Sequence, residues 1–423
     1  MPVAYSHRIF DSIERVDLSE WQQIRASCNA SIFTDPRFLA AVEIGVKQVE
    51  KIWYIVLYDE NGAPAACTCI SLMTVDLVDL ADPALARVIR YTPFLSSWLR
   101  HWNVLIVGLP IGTGHHTLAL AQRSANAQIL PVLDRIVCDL ATEVRADVIV
   151  YKEFGEGDLT WTAPLLDLGY RRIATPPMHF FRPAFEDFSQ YCAALKSHYR
   201  QQINRSRRKL KDGGLEIIVL NDPEEILRLY TPEVHALYYQ MAERAAIKIE
   251  VLPIEFLHQL TLRLRDEIEL IAIRKDSRVV AFGWNIHTQS SYHAMYGGLE
   301  YHLNREFDLY FNLIYAMLDC ALTKGVARIE VGLGGDAFKS KLGCYSEPLY
   351  VFVTGRGPLM SLIVRAAGHL LIARKPAAPS FDILKSVGCR WDSFRLGCPH
   401  EPEGPIDATN MTLSNLRNLG ELP

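Results

Sequence analysis

One order of elements occurs twice in this chain, and it constrains the fold more than any single motif. In the first half, Ile52–Tyr58 and Ala65–Ser71 are apolar runs on either side of Asp59-Glu-Asn-Gly62, a hairpin signal. A strand at Val104–Gly108 follows, then the loop Leu109–His116, a helical pattern over Ala127–Ala146 and a buried strand at Val148–Tyr151. The second half repeats that order. Glu269–Arg274 and Val279–Asn285 flank the turn Lys275-Asp-Ser-Arg278, and Tyr292–Gly298 is the next strand. A loop runs through Glu306, then a helix over Phe307–Lys324 with Leu309, Leu313, Ala316, Met317 and Cys320 on one face. Gly325 is the stop signal and Arg328–Gly332 the following strand. Each half then has a short helix ending in a similar triplet, Leu168-Gly-Tyr170 and Leu342-Gly-Cys344. The repetition lies in pattern and hardly at all in identity. It predicts an α/β (α+β) chain with two domains of one fold.

Three segments result: a first domain over 1–185, a second over 186–355, and an amphipathic helix with a loose, proline-rich tail over 356–423. The second domain opens on a basic helix, Lys196–Asp212, with seven basic residues and one acid before Gly213-Gly214 ends it. Overall, 44 basic residues stand against 48 acidic ones, so a chain basic all over, such as a histone, is excluded. With 49% hydrophobic residues, general disorder is excluded too. The longest stretch without Asp, Glu, Lys or Arg, Asn103–Gln122, is broken by glycines and predicts a strand entering a loop, not a membrane span. No secretory signal is read in the opening residues. Nine scattered cysteines predict reduced thiols in the cytoplasm.

Several residues together resemble the tandem N-acyltransferases of the GNAT superfamily, in the Fem-like branch. They are Tyr199, Arg200, Ile203, Arg205, Arg208 and Lys209 of the basic helix, Tyr296-Gly-Gly298 with Tyr301, Leu309-Tyr-Phe-Asn312 and Gly335–Gly343. Gly108-Leu-Pro-Ile-Gly112 and Lys152-Glu-Phe154 carry it in the first half, and the whole spans roughly residues 30–355. The resemblance implies, in each domain, a mixed sheet flanked by helices whose two middle strands splay apart. An acyl donor enters the gap, a backbone N–H holds its carbonyl, and a neutral amine attacks. That chemistry needs a general base and a proton for the leaving group, not a covalent nucleophile. The implied co-substrate is an acyl-CoA or acyl-carrier-protein thioester, without a metal or a tightly bound cofactor.

The two halves differ where such a donor's phosphates would sit. Leu299–Asp308 has three acids and no glycine, whereas Gly108, Gly112 and Gly114 give the first-half loop backbone suited to phosphate. Lys339, Lys341 and Arg200 are the further candidates for donor phosphates. As catalytic candidates the sequence offers His293, Tyr296, Glu300, His302 and Asp336. His293 and Tyr296 lie three apart on one strand and are expected on opposite faces. Glu300 and His302 are either a base at the strand end or a solvated loop. Asp336 shares a helix face with Lys339, as a polar pair at the strand mouth or an exposed turn. Lys152-Glu153 carries the same two readings, and Glu306 and Asp308 are expected to complement a helix dipole. Cys67 and Cys69 read as core thiols, and His115-His116 find no evident metal-binding partner in the sequence.

The expected activity is transfer of an acyl group, fatty acyl by preference, from a thioester to a primary amine such as an amino-lipid or sphingoid base. Bacterial ceramide synthases of the superfamily are the analogue. The apolar segments Tyr91–Trp102 and Leu359–Lys375 motivate the lipid and a peripheral contact with an anionic membrane surface. The alternatives are an aminoacyl-tRNA-dependent transferase, for which the basic helix speaks, and a catalytically silent binding protein of the same fold.

Overall fold

The first hairpin is β2 (Lys51–Tyr58) and β3 (Pro64–Val75), preceded by an edge strand, β1 (Ser6–Phe10). Gly62 closes its turn at φ 78°. Around them lie α1 (Leu18–Cys28) and α2 (Pro36–Gly45), the latter capped by the Asp35 carboxylate and entered through Pro36. The first half continues with β4 (Trp102–Val107), the short β5 (Ala119–Leu120), α3 (Asn126–Glu143), β6 (Val148–Gly155), α4 (Pro164–Asp167) and β7 (Arg171–Phe181). These coordinates are a computed structural model, which describes residues 5–28, 30–46, 49–76, 101–121, 126–244, 251–367, 381 and 383–385. The fold is that of the unit Met1–Ile383.

After β7 come α5 (Phe188–Ala194), the basic helix α6 (Ser197–Asp212) and β8 (Leu215–Leu220). Three helices, α7 (Pro223–Leu229), α8 (Pro232–Ala242) and α9 (Ile254–Leu264), lead to the second hairpin, β9 (Ile268–Lys275) and β10 (Arg278–His287). The remaining elements are β11 (Ser291–Leu299), α10 (Tyr301–Phe307), α11 (Leu309–Thr323), β12 (Arg328–Leu333), α12 (Asp336–Lys341), β13 (Tyr345–Gly355) and α13 (Gly357–Ala367).

All thirteen strands of the described residues join one sheet, ordered β1-β2-β3-β4-β6-β13-β7-β12-β11-β10-β9-β8, with β5 against β3. The two halves exchange their last strands. β13, from the second half, completes the first-half sheet beside β6, and β7 completes the second-half sheet beside β12. β7 and β13 then pair with each other, which makes the sheet continuous. Parallel pairing occurs at one place in each half, β4 with β6 and β11 with β12. Helices on both faces explain why central strands such as β2 read as unbroken apolar runs.

Two sequence expectations are corrected. The loop through Glu306 is instead the helix α10, ended by Asp308 at φ 52°. The opposite facing of His293 and Tyr296 fails because β11 bulges against β10 between Trp284 and Asn285, and the extra residue resets the alternation. Both rings meet one aromatic row: His293 packs on Phe33, Phe33 on Phe38, Phe38 on Phe256 and Phe256 on Tyr296. The terminal helix α13 packs on β13, with Met360 and Val364 against Trp102, Val104, Ile106 and Val148 of the first half. Residues 77–100 and 368–380 lie outside the described ones, and with them most of the aromatic stretch before Trp102 and the end of the apolar segment.

Asp308 fastens the basic helix. Its carboxylate accepts from Ser206 Oγ at 2.7 Å and Lys209 Nζ at 2.9 Å, while Asn312 Nδ2 donates to the Ser206 carbonyl at 3.1 Å. Asp308→Ala is therefore expected to cost about 1–3 kcal/mol, since it strands a buried hydroxyl and an amine. Asp308→Asn should cost less, because Asn accepts the left-handed backbone and still bonds Ser206. Urea denaturation midpoints of the two variants would show the order, and equal midpoints would remove this anchor.

Candidate active site

The parallel pairing of β11 with β12 lasts only from Ser291 opposite Arg328 to His293 opposite Glu330. Beyond that point β11 stays on β10 as far as Leu299 and β12 stays on β7 as far as Leu333, so the two strands part. Gly332 makes the departure at φ 82°, and a Cβ there would press on the Ala294 carbonyl at 3.3 Å.

At the fork sits Glu330, 2% exposed. Its Oε2 meets His115 Nε2 at 2.8 Å and His293 Nδ1 at 2.9 Å, and its Oε1 accepts from Arg328 Nε at 3.0 Å. Burial alone would raise this carboxyl, but the two imidazoles outweigh it and hold Glu330 well below the usual carboxylate range. An ionised carboxylate only accepts, so each ring nitrogen facing it carries a proton. The other ring nitrogen of His293, Nε2, lies 2.8 Å from Ser291 Oγ. Phe33 packs on both imidazoles, with ring centroids 5.2 Å away in each case.

The cluster forms part of the wall of a cleft of about 1400 Å³. Residues from both halves line it, including Arg25, His116 and Trp161 on one side and His287, Lys324 and Arg328 on the other. His116 stacks on Phe154, centroids 5.0 Å apart, with Nε2 3.6 Å from Asp158. Burial opposes ionisation of Asp158, yet its bonds to His116, Trp161 and the Gly155 N–H keep it below the ordinary value.

The fork of the first half is closed by its own side chains. β4 and β6 pair from Val104 to Val107, and just beyond, Lys152 Nζ donates to the Ile111 carbonyl at 2.8 Å. Glu153, held at φ 64°, accepts from the Thr113 amide at 3.2 Å and the Thr113 hydroxyl at 3.1 Å. Gly108 donates to the Cys69 carbonyl at 3.0 Å and accepts from Ser71 Oγ at 2.8 Å. Gly114, at φ 77°, lies where a Cβ would meet the Met178 terminal carbon at 2.0 Å, and Gly112 is half-buried between them. A carboxylate of the protein thus already occupies an amide that a phosphate would require.

Of the other sequence candidates, Tyr296 packs against Tyr238 and Phe256. Glu300 is buried at the head of α10 and paired with Arg278, whose Nη2 lies 3.0 Å from its Oε2. His302 is exposed, 3.5 Å from the same carboxylate. Buried Lys339 donates to the carbonyls of Gly332 at 2.9 Å and Leu333 at 3.1 Å, beside the fork. Lys341 is exposed, with its ammonium over the Phe381 ring. Arg200 is half-buried on α6, and the side chain of Asp336 lies outside the described ones. Cys67 and Cys69 are buried in the core, and burial pushes the Cys69 thiol up to about 11. Of the four catalytic candidates whose side chains are described, His293 alone reaches the cluster. Sequence reasoning passed over Glu330 and Arg328, although an acid between Ile329 and Val331 in a buried strand was a signal available there.

A family model described as FemAB-like, peptidoglycan biosynthesis/recognition, matches residues 119–353. No curated protein matches the chain. Among solved structures, FemX superposes with a TM-score of 0.53 at 11% identity, covering 86% of this chain and 100% of its own. The C-terminal domain of a putative lysylphosphatidylglycerol synthetase from Agrobacterium fabrum gives 0.47 at 11% identity, covering 83% and 96%. A tandem GNAT protein from the clavulanic acid pathway gives 0.48 at 11% identity, covering 84% and 99%. The fold is that of FemX, and here it takes the form of a mixed sheet flanked by helices in each half. Since the matched model spans more than half of the sequence, from β5 to β13 and across the Glu330 fork, the chain belongs to the FemAB-like family.

Proposed function

We propose that this chain is an N-acyltransferase that moves an acyl group from a thioester donor to a primary amine held in the cleft. The observation that carries the reading is the ionised, buried Glu330 at the point where β11 and β12 part. The donor, an acyl-CoA or acyl-carrier-protein thioester, enters the second-half fork, since the first-half fork is filled by Lys152 and Glu153. The edge of β11 beyond His293 has lost β12 as a partner and supplies the N–H for the thioester carbonyl. The amine arrives from the cleft as an ammonium and gives its proton to the His115 ring nitrogen that faces away from Glu330, and the Glu330 carboxylate stabilises the imidazolium so formed. Its lone pair attacks the carbonyl carbon, the C–S bond breaks, and the nitrogen's second proton goes to the leaving thiolate. Arg328 and Phe33 keep the carboxylate and the two rings in place.

Apolar residues (Ile32, Leu118, Leu120) share the cleft lining with charged ones, which suits an amphipathic amine such as an amino-lipid or sphingoid base, with a fatty acyl donor. No helix of the described residues is long and apolar enough to cross a membrane. A second reading, aminoacyl-tRNA as donor, draws on α6. There Arg207 and Lys209 are paired to Asp319 and Asp308, while Arg205, Arg208 and Lys211 face solvent. Mixing the protein with acyl-CoA, acyl carrier protein or aminoacyl-tRNA and a panel of amines, with amides detected by mass spectrometry, tests both. Amide from a thioester supports the first reading. Amide only from aminoacyl-tRNA, with salt-dependent binding of the tRNA, replaces it by the second.

A further inference from the structure

Three potential metal-ligand atoms converge at the cleft: His115 Nε2, His293 Nδ1 and Glu330 Oε2, all within 4.8 Å of one another. They come from the first-half loop, β11 and β12, so the fold assembles what no local motif encodes. Two imidazoles and one carboxylate are a donor set that zinc accepts, with a fourth position left for a small molecule. We infer that these three residues form a zinc-binding site, and that its occupancy switches off the proposed transfer.

The surroundings fit a ligand set. His293 has Ser291 Oγ at 2.8 Å from its other ring nitrogen, the outer bond that fixes the tautomer of a metal-bound imidazole. Arg328 holds Oε1 and so turns Oε2 toward the two rings. Phe33 forms an apolar wall against both imidazoles. His115, with 22% of its side chain exposed, leaves the site open to the cleft. Around a tetrahedral ion with bonds near 2.0 Å, ligand atoms stand about 3.3 Å apart. The present N···O separations of 2.8 and 2.9 Å need to open by about half an ångström, and the two ring nitrogens, within 4.8 Å of each other, need to settle at the same spacing.

Inhibition rests on the acyltransferase reading. An ion held by the Glu330 carboxylate and the His115 ring occupies the pair that serves the amine in the proposed transfer, so binding there blocks it. Binding itself does not depend on that reading and is measured without substrates. The chelator-treated full chain is titrated with Zn²⁺, and with Co²⁺ as a spectroscopic probe, with metal content read by mass spectrometry. One equivalent of zinc per chain and the visible absorption of tetrahedral cobalt are expected. His115→Ala, on a part-exposed loop, should weaken binding by about 100-fold or more, and Ser291→Ala by about 10–100-fold, the range for outer-shell partners. Circular dichroism checks that both variants fold. Zinc bound no more tightly by wild type than by His115→Ala overturns the site and leaves the transferase reading standing. Tight zinc with no amide from any donor keeps the site and removes that reading. Zinc-stimulated transfer overturns the switch.

Discussion

Glu330→Gln should lower the rate of amide formation by about 10²–10⁴-fold, the range for loss of a positioned general base. The substitution keeps the shape of the side chain but removes its charge and one of the two oxygens that accept from the imidazoles and Arg328. In the proposed reaction Glu330 serves the amine and not the thioester, so the thioester's KM should change little, which separates a lost base from a lost binding contact. His115→Ala removes the most exposed member of the cluster, and a comparable fall in kcat is expected. A Glu330→Gln enzyme with wild-type kcat would show that the amine loses its proton elsewhere.

The second large effect concerns stability. Glu269, 1% exposed on β9, bonds the Tyr292 hydroxyl through Oε1 and Lys324 Nζ through Oε2 at 3.1 Å. Tyr292 precedes His293, so this trio sets the start of β11 from the far face. Breaking a buried pair by deleting one partner typically costs about 3–5 kcal/mol, because an uncompensated charge remains. With Lys324 a quarter exposed, Lys324→Met is expected at the lower end, about 3 kcal/mol. Adding Glu269→Gln removes the stranded charge and should return part of that loss. Denaturant unfolding of the single and double variants gives the comparison. Purely additive losses would mean that the two side chains act independently.

Much of the architecture was legible because it is local. Asp59-Glu-Asn-Gly62 between two apolar runs specifies a hairpin wherever it occurs, and Gly325 after an apolar face ends a helix. The exchange of β7 and β13 was not legible, since nothing in Arg171–Phe181 tells it to pair with β12 and not with its own half. The facing of His293 and Tyr296 was lost to one extra residue, which no periodicity argument detects. The site was hidden by distance along the chain. His115 and Glu330 are 215 positions apart, and each looks ordinary in its own segment. The first-half glycine loop carried backbone apt for phosphate, but the Glu153 carboxylate that reaches its amide comes from a different strand.

The most direct test of the central claim is stoichiometric. The full chain is incubated with a fatty acyl-CoA and an amphipathic primary amine, and amide and free thiol are measured in the same sample. One amide formed for each thiol released, with both lost in Glu330→Gln, is the predicted result. Thiol release without amide, or no reaction with any thioester, would contradict it.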